Sequence, residues 1–167
     1  MVAMDWPEVE NEFPMVLGSN LAELGGRKSS VDRDATIRAY AQAERGGADR
    51  CTCNGCRNFR LARMRVFPPE FLELLDRLGI DPRKDGEVYR NARLAPGRHN
   101  YGGWFHFIGT LDAPDSDSGL VKFGDDFSAY ICRATAPRLP SLNQHPVVQL
   151  EFNADAVPWL LDEPEAD

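Results

Sequence analysis

The chain has 167 residues, of which 43% are hydrophobic and 27% charged, and these values fit one globular domain with a core of its own. No apolar run approaches the roughly 20 residues of a membrane helix, and the N-terminus has neither the basic nor the apolar region of a secretory signal. We therefore expect a cytoplasmic protein, a compartment in which thiols stay reduced.

The net charge of −7 is unevenly distributed along the chain. Residues 1–26 contain five acidic side chains and no Lys or Arg, and residues 153–167 contain five more acids, whereas residues 27–65 contain ten basic and four acidic side chains. The acidic balance argues against nucleic acid as a partner. The two acidic ends suggest one hypothesis, an immunity-like or inhibitor-like protein that is steered towards a basic protein partner.

The first third of the chain begins without clear periodicity. Residues 1–31 are interrupted by Pro and Gly and predict an irregular acidic arm. Asp32 or Asp34 is suited to cap a helix over residues 35–44, and Gly46-Gly47 is suited to end it.

Two more helices and a run of strands follow. The pattern predicts helices over residues 57–65 and 70–78, the second begun by a Pro-Pro pair and ended by Gly79. Five candidate strands come next, over residues 87–94, 101–111, 120–123, 127–134 and 147–152. Helices followed by closely spaced strands indicate one α+β domain over residues 32–161, with a mostly antiparallel sheet, and an acidic tail over 162–167.

The most distinctive motif is Cys51-Thr-Cys53-Asn-Gly-Cys56, which holds three of the four cysteines. Side chains two apart in an extended segment point the same way, so Cys51 and Cys53 face one point. Asn54-Gly55 favours a tight turn, since both residues accept positive φ, and this turn would bring Cys56 to the same point. Three converging thiolates predict a metal knuckle within the helical region.

A tetrahedral metal needs a fourth ligand, and the candidates are His106, Cys132, His99 and His145. His106 lies among aromatic residues, where a buried imidazole needs a partner that a metal would supply. Cys132 lies in an apolar strand, where a cysteine is often only a small buried side chain. We expect His106, or Cys132 in its place, to complete the site.

Coordination by His106 would fix the orientation of its strand. The middle strand would run beneath the knuckle with Trp104, His106 and Ile108 facing the helices. Phe105 and Phe107 would then face the other side and need cover from another element, such as the C-terminal segment that contains Trp159.

Zinc suits a closed thiolate site with a structural role, and it is the expected cofactor. An iron–sulfur cluster is the alternative, because Cys51, Cys53, Cys56 and Cys132 provide four thiols. A redox pair of Cys53 and Cys56 lacks the βαβ setting that such pairs have.

The functional hypothesis is a zinc-stabilised binding or interaction domain and not an enzyme, because no nucleophile elbow, phosphate loop or His-Glu-His helix is present in the sequence. A metal-dependent enzyme with an open coordination position near His106 is an alternative. Arg57, Arg60 and Arg63 form a basic stripe beside the knuckle, which we interpret as a solvated surface that pairs with the acidic ends.

Three motifs together resemble a family of uncharacterised bacterial proteins. They are Cys-x-Cys-x-x-Cys-Arg-Asn-Phe from Cys51, Phe-Pro-Pro-Glu-Phe-Leu-Glu-Leu-Leu from Phe67, and Tyr-Gly-Gly-Trp-Phe-His-Phe from Tyr101. The similarity extends over about residues 51–161 and implies a shared domain, with no activity attached to it.

Overall fold

The computed structural model describes residues 15–112 and 119–167. Four α-helices are present in this part of the chain, α1 (Arg33–Gln42), α2 (Gly47–Arg50), α3 (Asn54–Val66) and α4 (Pro69–Leu78), together with a short 3₁₀-helix (Pro140–Leu142). A first set of strands precedes the α-helices: β1 (Met15–Leu17), β2 (Leu21–Leu24) and β3 (Arg27–Ser30). A second set follows the α-helices: β4 (Glu87–Ala95), β5 (Arg98–Ile108), β6 (Val121–Lys122), β7 (Phe127–Arg133) and β8 (Val147–Val157). The predicted α+β class is therefore confirmed.

The main sheet has five strands in the order β4-β5-β8-β7-β6, and every neighbouring pair is antiparallel. Helices α3 and α4 bring Phe59 and Phe71 onto one face of this sheet. There the ring of Phe152, on the central strand β8, lies close to both. Its centroid is 6.0 Å from that of Phe59 and 6.1 Å from that of Phe71. The core of the domain is therefore a cluster of aromatic rings between helices and sheet.

The helix ends follow the capping rules. Asp32 caps α1, because its carboxylate accepts a hydrogen bond from the N–H of Ala35. Of the two predicted caps, Asp32 and Asp34, the structure uses Asp32. Pro69 opens α4, and Gly79 ends it in the left-handed region with φ of 81°. Four apolar side chains of α4 are buried, namely Phe71, Leu74, Leu75 and Leu78. This amphipathic pattern, with helical spacing, fixes which face of α4 packs on the sheet.

The prediction of an irregular segment is wrong for residues 15–30, which form the antiparallel sheet β1-β2-β3. This sheet joins the main body, because the N–H of Ser30 donates to the carbonyl of Thr110 just beyond β5. The strands are only three or four residues long, too short for a period of two to stand out in the sequence. The predicted arm over residues 1–14 lies outside the described residues.

Gly46-Gly47 was expected to end the first helix, but α1 already ends at Gln42. The two glycines instead let the chain pass close to the start of β4. A Cβ at Gly46 would lie 2.7 Å from the amide nitrogen of Asp85, and one at Gly47 only 2.5 Å from the carbonyl oxygen of Gly86. Close backbone approach, and not helix termination, explains this pair.

The predicted orientation of β5 is wrong. Phe105 faces the helices, with its ring centroid 6.1 Å from that of Phe67, so the alternation along the strand puts Trp104 and His106 on the opposite face. That face is covered by the connection between β7 and β8, where the Trp104 indole donates to the carbonyl of Pro137. The reason is burial, since the helices offer an apolar surface that phenyl rings match better than an imidazole.

The two glycines of β5 give a matched pair for a stability test. A Cβ at Gly103 would lie 2.7 Å from the carbonyl oxygen of Glu87 and 2.8 Å from the buried ring of Phe152. A Cβ at Gly102 would meet the ring of Tyr89 at 2.6 Å, but Tyr89 is 40% exposed and free to swing outwards. We expect Gly103→Ala to lower the free energy of unfolding by about 1–3 kcal/mol and Gly102→Ala to cost clearly less. Urea denaturation of both variants measures the difference, and equal costs would contradict it.

Candidate metal centre

The three clustered cysteines surround the N-terminus of α3. Cys51 and Cys53 have extended backbones, and Cys53 is the N-cap of α3, whose sulfur accepts a hydrogen bond from the N–H of Cys56 at 3.4 Å. All three Sγ atoms lie within 4.8 Å of one another, and the Cys51 and Cys53 sulfurs are 3.2 Å apart. The predicted convergence of three sulfur atoms is confirmed, and all three cysteines are free thiols.

The local geometry differs from the expected tight turn. Asn54 and Gly55 form the first turn of α3, and Gly55 is not among the positive-φ glycines of the described chain. Helical geometry therefore brings Cys56 back to Cys53, since the N-cap side chain lies over the third helical residue. A Cβ at Gly55 would make only an ordinary contact, 3.5 Å from the Cβ of Arg90.

The cluster is electrostatically asymmetric. Burial raises the pKa of Cys53, but the N–H of Cys56 and the neighbouring thiols outweigh it, and the net effect is a lowered pKa. Burial, followed by the contacts to Cys51 and Cys53, raises the pKa of Cys56. The N-terminus of a helix also favours negative charge. The site therefore favours a first thiolate at Cys53. A bound cation would stabilise a second and a third thiolate, at Cys51 and Cys56.

The knuckle is attached to the sheet through β4 and β5. The Cys56 sulfur lies 3.7 Å from the carbonyl oxygen of Val88, and the hydroxyl of the buried Tyr101 donates to the carbonyl of Gly55 at 3.0 Å. A metal held by the three sulfurs would thus lie beside this edge of the sheet and link the start of α3 to the residues that precede it.

Neither predicted fourth ligand reaches the cluster. His106 lies on the sheet face away from the helices and bonds Gln149 at 3.2 Å, and Cys132 lies on the same far face, 3.8 Å from Glu151. Both side chains alternate away from α3 and α4 along their strands, so the structure does not bring either of them to the three sulfurs. Among residues 15–112 and 119–167, no other His, Cys, Asp or Glu joins the three sulfurs.

The other two histidines lie elsewhere. His99 is buried, bonds Glu165 at 2.7 Å and packs against the ring of Trp159 at 5.2 Å, while His145 is exposed. The expectation that the C-terminal segment packs onto the body is confirmed, although Trp159 covers His99 and not the phenyl rings of β5.

His106 gives a test of pH dependence. Burial lowers the pKa of His106 from 6.5 to about 4, and repulsion from Arg138 adds to this effect. The hydrogen bond to Gln149 acts in the opposite direction but is outweighed. The unfolded chain then binds more protons than the folded one, so stability is complete above pH 6.5 and falls as the pH drops towards 4. We expect His106→Gln to remove up to about 3 kcal/mol of this dependence. Urea denaturation between these pH values measures it, with the exposed-site variant His145→Gln as the unchanged control, and an unaltered pH dependence in His106→Gln would contradict the assignment.

A groove of about 630 Å³ opens beside the cysteines. Its lining includes three glycines, Gly47, Gly55 and Gly86, and the apolar residues Val88, Tyr89 and Pro137. Charged side chains complete the lining: Arg50, Glu87 and Arg90. No sequence pattern indicated this groove, because its lining comes from segments that are distant along the chain.

The basic stripe behind the cysteines is engaged within the protein. Arg57 pairs with Glu163 at 2.6 Å, Arg63 pairs with Asp49 at 3.0 Å, and Arg60 donates to the carbonyl of Asp49. The pair of Arg57 with Glu163 supports the interpretation of a surface that pairs with the acidic C-terminal end, whereas Arg63 is buried and not solvated. These pairs leave little of this stripe for phosphate contacts.

Asn58, which we did not single out in the sequence, organises the C-terminal segment. Its buried amide donates to the carbonyl of Pro158 at 2.9 Å and accepts from the N–H of Leu160 at 2.6 Å. Its place in the Cys-Arg-Asn-Phe string, two residues after Cys56, was the available signal.

The acidic tail pairs with the protein's own basic residues. Glu165 lies 2.9 Å from Arg93, and Asp167 lies 3.1 Å from the same guanidinium.

Within the described ranges, no helix is both long and apolar enough to span a bilayer.

Comparisons with known proteins found no matching family model, no matching curated protein and no matching solved structure. The class of site therefore rests on the fold and on the three cysteines, which could bind a metal. The resemblance to uncharacterised bacterial proteins stays a prediction.

Proposed function

We propose that the protein is a zinc-stabilised binding domain, in which Cys51, Cys53 and Cys56 hold one Zn²⁺ at the edge of the groove. The observation that carries this proposal is the approach of the three Sγ atoms to within 4.8 Å of one another. A tetrahedral Zn²⁺ with bonds of about 2.3 Å needs sulfurs about 3.8 Å apart, so the cluster requires only small adjustments. Zn²⁺ would supply a crosslink between α3 and the residues that precede it.

Zinc is favoured over an iron–sulfur cluster by the position of Cys132. A four-cysteine cluster would need Cys132, which faces Glu151 on the other side of the sheet. The free thiols also suit a reducing compartment, and we place the protein in the cytoplasm for this reason.

A role in binding is favoured over catalysis at His106. The enzyme hypothesis used His106 as a base next to the metal, but its imidazole lies beneath the connection between β7 and β8, on the face away from the cysteines. The immunity-like hypothesis needs an acidic tail that is available to a basic partner. Glu163 and Glu165 of this tail already pair with arginines of the same chain, which argues against it. Its N-terminal part lies outside the described residues.

Elemental analysis of the freshly purified, reduced protein tests the proposal. We expect about one equivalent of zinc per chain, and a loss of most of it in Cys51→Ser, Cys53→Ser and Cys56→Ser. Cys132→Ser is the matched control, because it removes the one thiol outside the cluster. Less than about half an equivalent of any metal in the wild type, or equal zinc in all four variants, would refute the proposal.

A further inference from the structure

We propose that the groove binds a small acidic thiol, whose sulfur occupies the fourth position on the zinc and whose negative group pairs with Arg50. This inference rests on the proposed zinc site and goes beyond it in naming a ligand class. Three observations carry it: the incomplete ligand set, the shape of the groove, and the state of the two arginines in its lining.

The ligand set is incomplete within the described chain. Three thiols converge, and no fourth His, Cys, Asp or Glu among residues 15–112 and 119–167 lies close enough to join them. Zinc sites with three protein ligands take the fourth ligand from outside. Sulfur-rich sites of a soft metal accept a further sulfur readily, as four-thiolate zinc sites demonstrate.

The groove directs that fourth ligand to a small molecule. Its volume of about 630 Å³ is that of a typical small-molecule site, and all three cysteines are in its lining. Tyr89 and Pro137, which are exposed, provide apolar contact area, which suits the methylene groups of a short thiol.

The charges of the groove select an acidic ligand. Arg90 is already held, since it donates to the carbonyl of Asp167 at 2.7 Å. Arg50 is exposed, lines the same groove and makes no hydrogen bond or ion pair with the part of the chain that the structure describes. Glu87 is the acid in the lining, so the negative group of the ligand is expected on the Arg50 side. A guanidinium pairs well with a carboxylate or a phosphate.

Calorimetric titration of the zinc-loaded protein with 3-mercaptopropionate tests this proposal. We expect binding, with propionate and 2-mercaptoethanol each at least about tenfold weaker, because each lacks one of the two contacts. Binding releases the thiol proton to solvent, so the measured heat is expected to depend on the ionisation enthalpy of the buffer. In Co²⁺-substituted protein, the sulfur-to-metal absorption is expected to rise on addition of the thiol.

The arginine contact has its own matched control. Arg50→Gln is expected to weaken 3-mercaptopropionate about tenfold or more, whereas Arg45→Gln, an exposed arginine outside the groove lining, leaves it unchanged. Three outcomes would overturn the inference without touching the proposed zinc site: the zinc-loaded protein binds no thiol, the thiol removes the zinc, or Arg50→Gln does not change the affinity. Absence of zinc from the purified protein would instead refute the proposed function itself.

Discussion

Removal of the proposed zinc is expected to lower the free energy of unfolding by about 4 kcal/mol or more, relative to protein in which free zinc exceeds the dissociation constant a thousandfold. The reason is linkage, since the three sulfurs converge only when α3 and the preceding segment are folded, and binding free energy is then folding free energy. Urea denaturation of the reduced protein, with and without a chelator, measures the change.

The cysteine variants sharpen this expectation. Cys53→Ser is expected to unfold at the same urea concentration as the wild type in chelator, and chelator is expected not to change that midpoint. The reason is that the N-cap sulfur of Cys53 is central to the cluster. Cys132→Ser is expected to respond to the chelator as the wild type does. Identical midpoints for the wild type with and without chelator would show that no bound metal supports the fold.

Phe71→Ala is expected to cost a similar amount, about 3–5 kcal/mol. The Phe71 side chain is fully buried and lies within ring-packing distance of five other aromatic rings: Phe67, Phe105, Phe123, Phe127 and Phe152. Truncation therefore opens a cavity between α4 and the sheet that its neighbours fill only in part.

Leu72→Ala is the matched control for Phe71→Ala, because Leu72 is the next residue of α4 and is only partly buried. We expect it to cost clearly less than Phe71→Ala when the unfolding of both variants by guanidinium chloride is measured. Zinc content is expected to be unchanged in both, since neither residue lines the groove. A Phe71→Ala variant as stable as Leu72→Ala would mean that the aromatic cluster contributes little to stability.

The parts of the fold that local chemistry controls were predictable. Helix α4 is amphipathic, is opened by a proline and is closed by Gly79, so pattern and capping agree on its limits. The strand run after Gly86 was also predictable, because turn residues separate segments of high β-propensity. The convergence of three cysteines followed from spacing, although a helix N-terminus and not a positive-φ turn produces it.

What the sequence determined alone is thus local: helices α1, α3 and α4, the strands of the main sheet, and a sulfur cluster made by residues within six positions of one another. What only the tertiary structure decided is which side of each strand meets the helices. Along β5, Phe105 and Phe107 alternate with Trp104, His106 and Ile108, and either face was compatible with that period. Packing against Phe67 and Phe71 turned Phe105 inwards and carried His106 to the far face, away from the cysteines. The groove likewise exists only after α2, α3 and β4 meet, because no local pattern records where distant segments leave a gap between them.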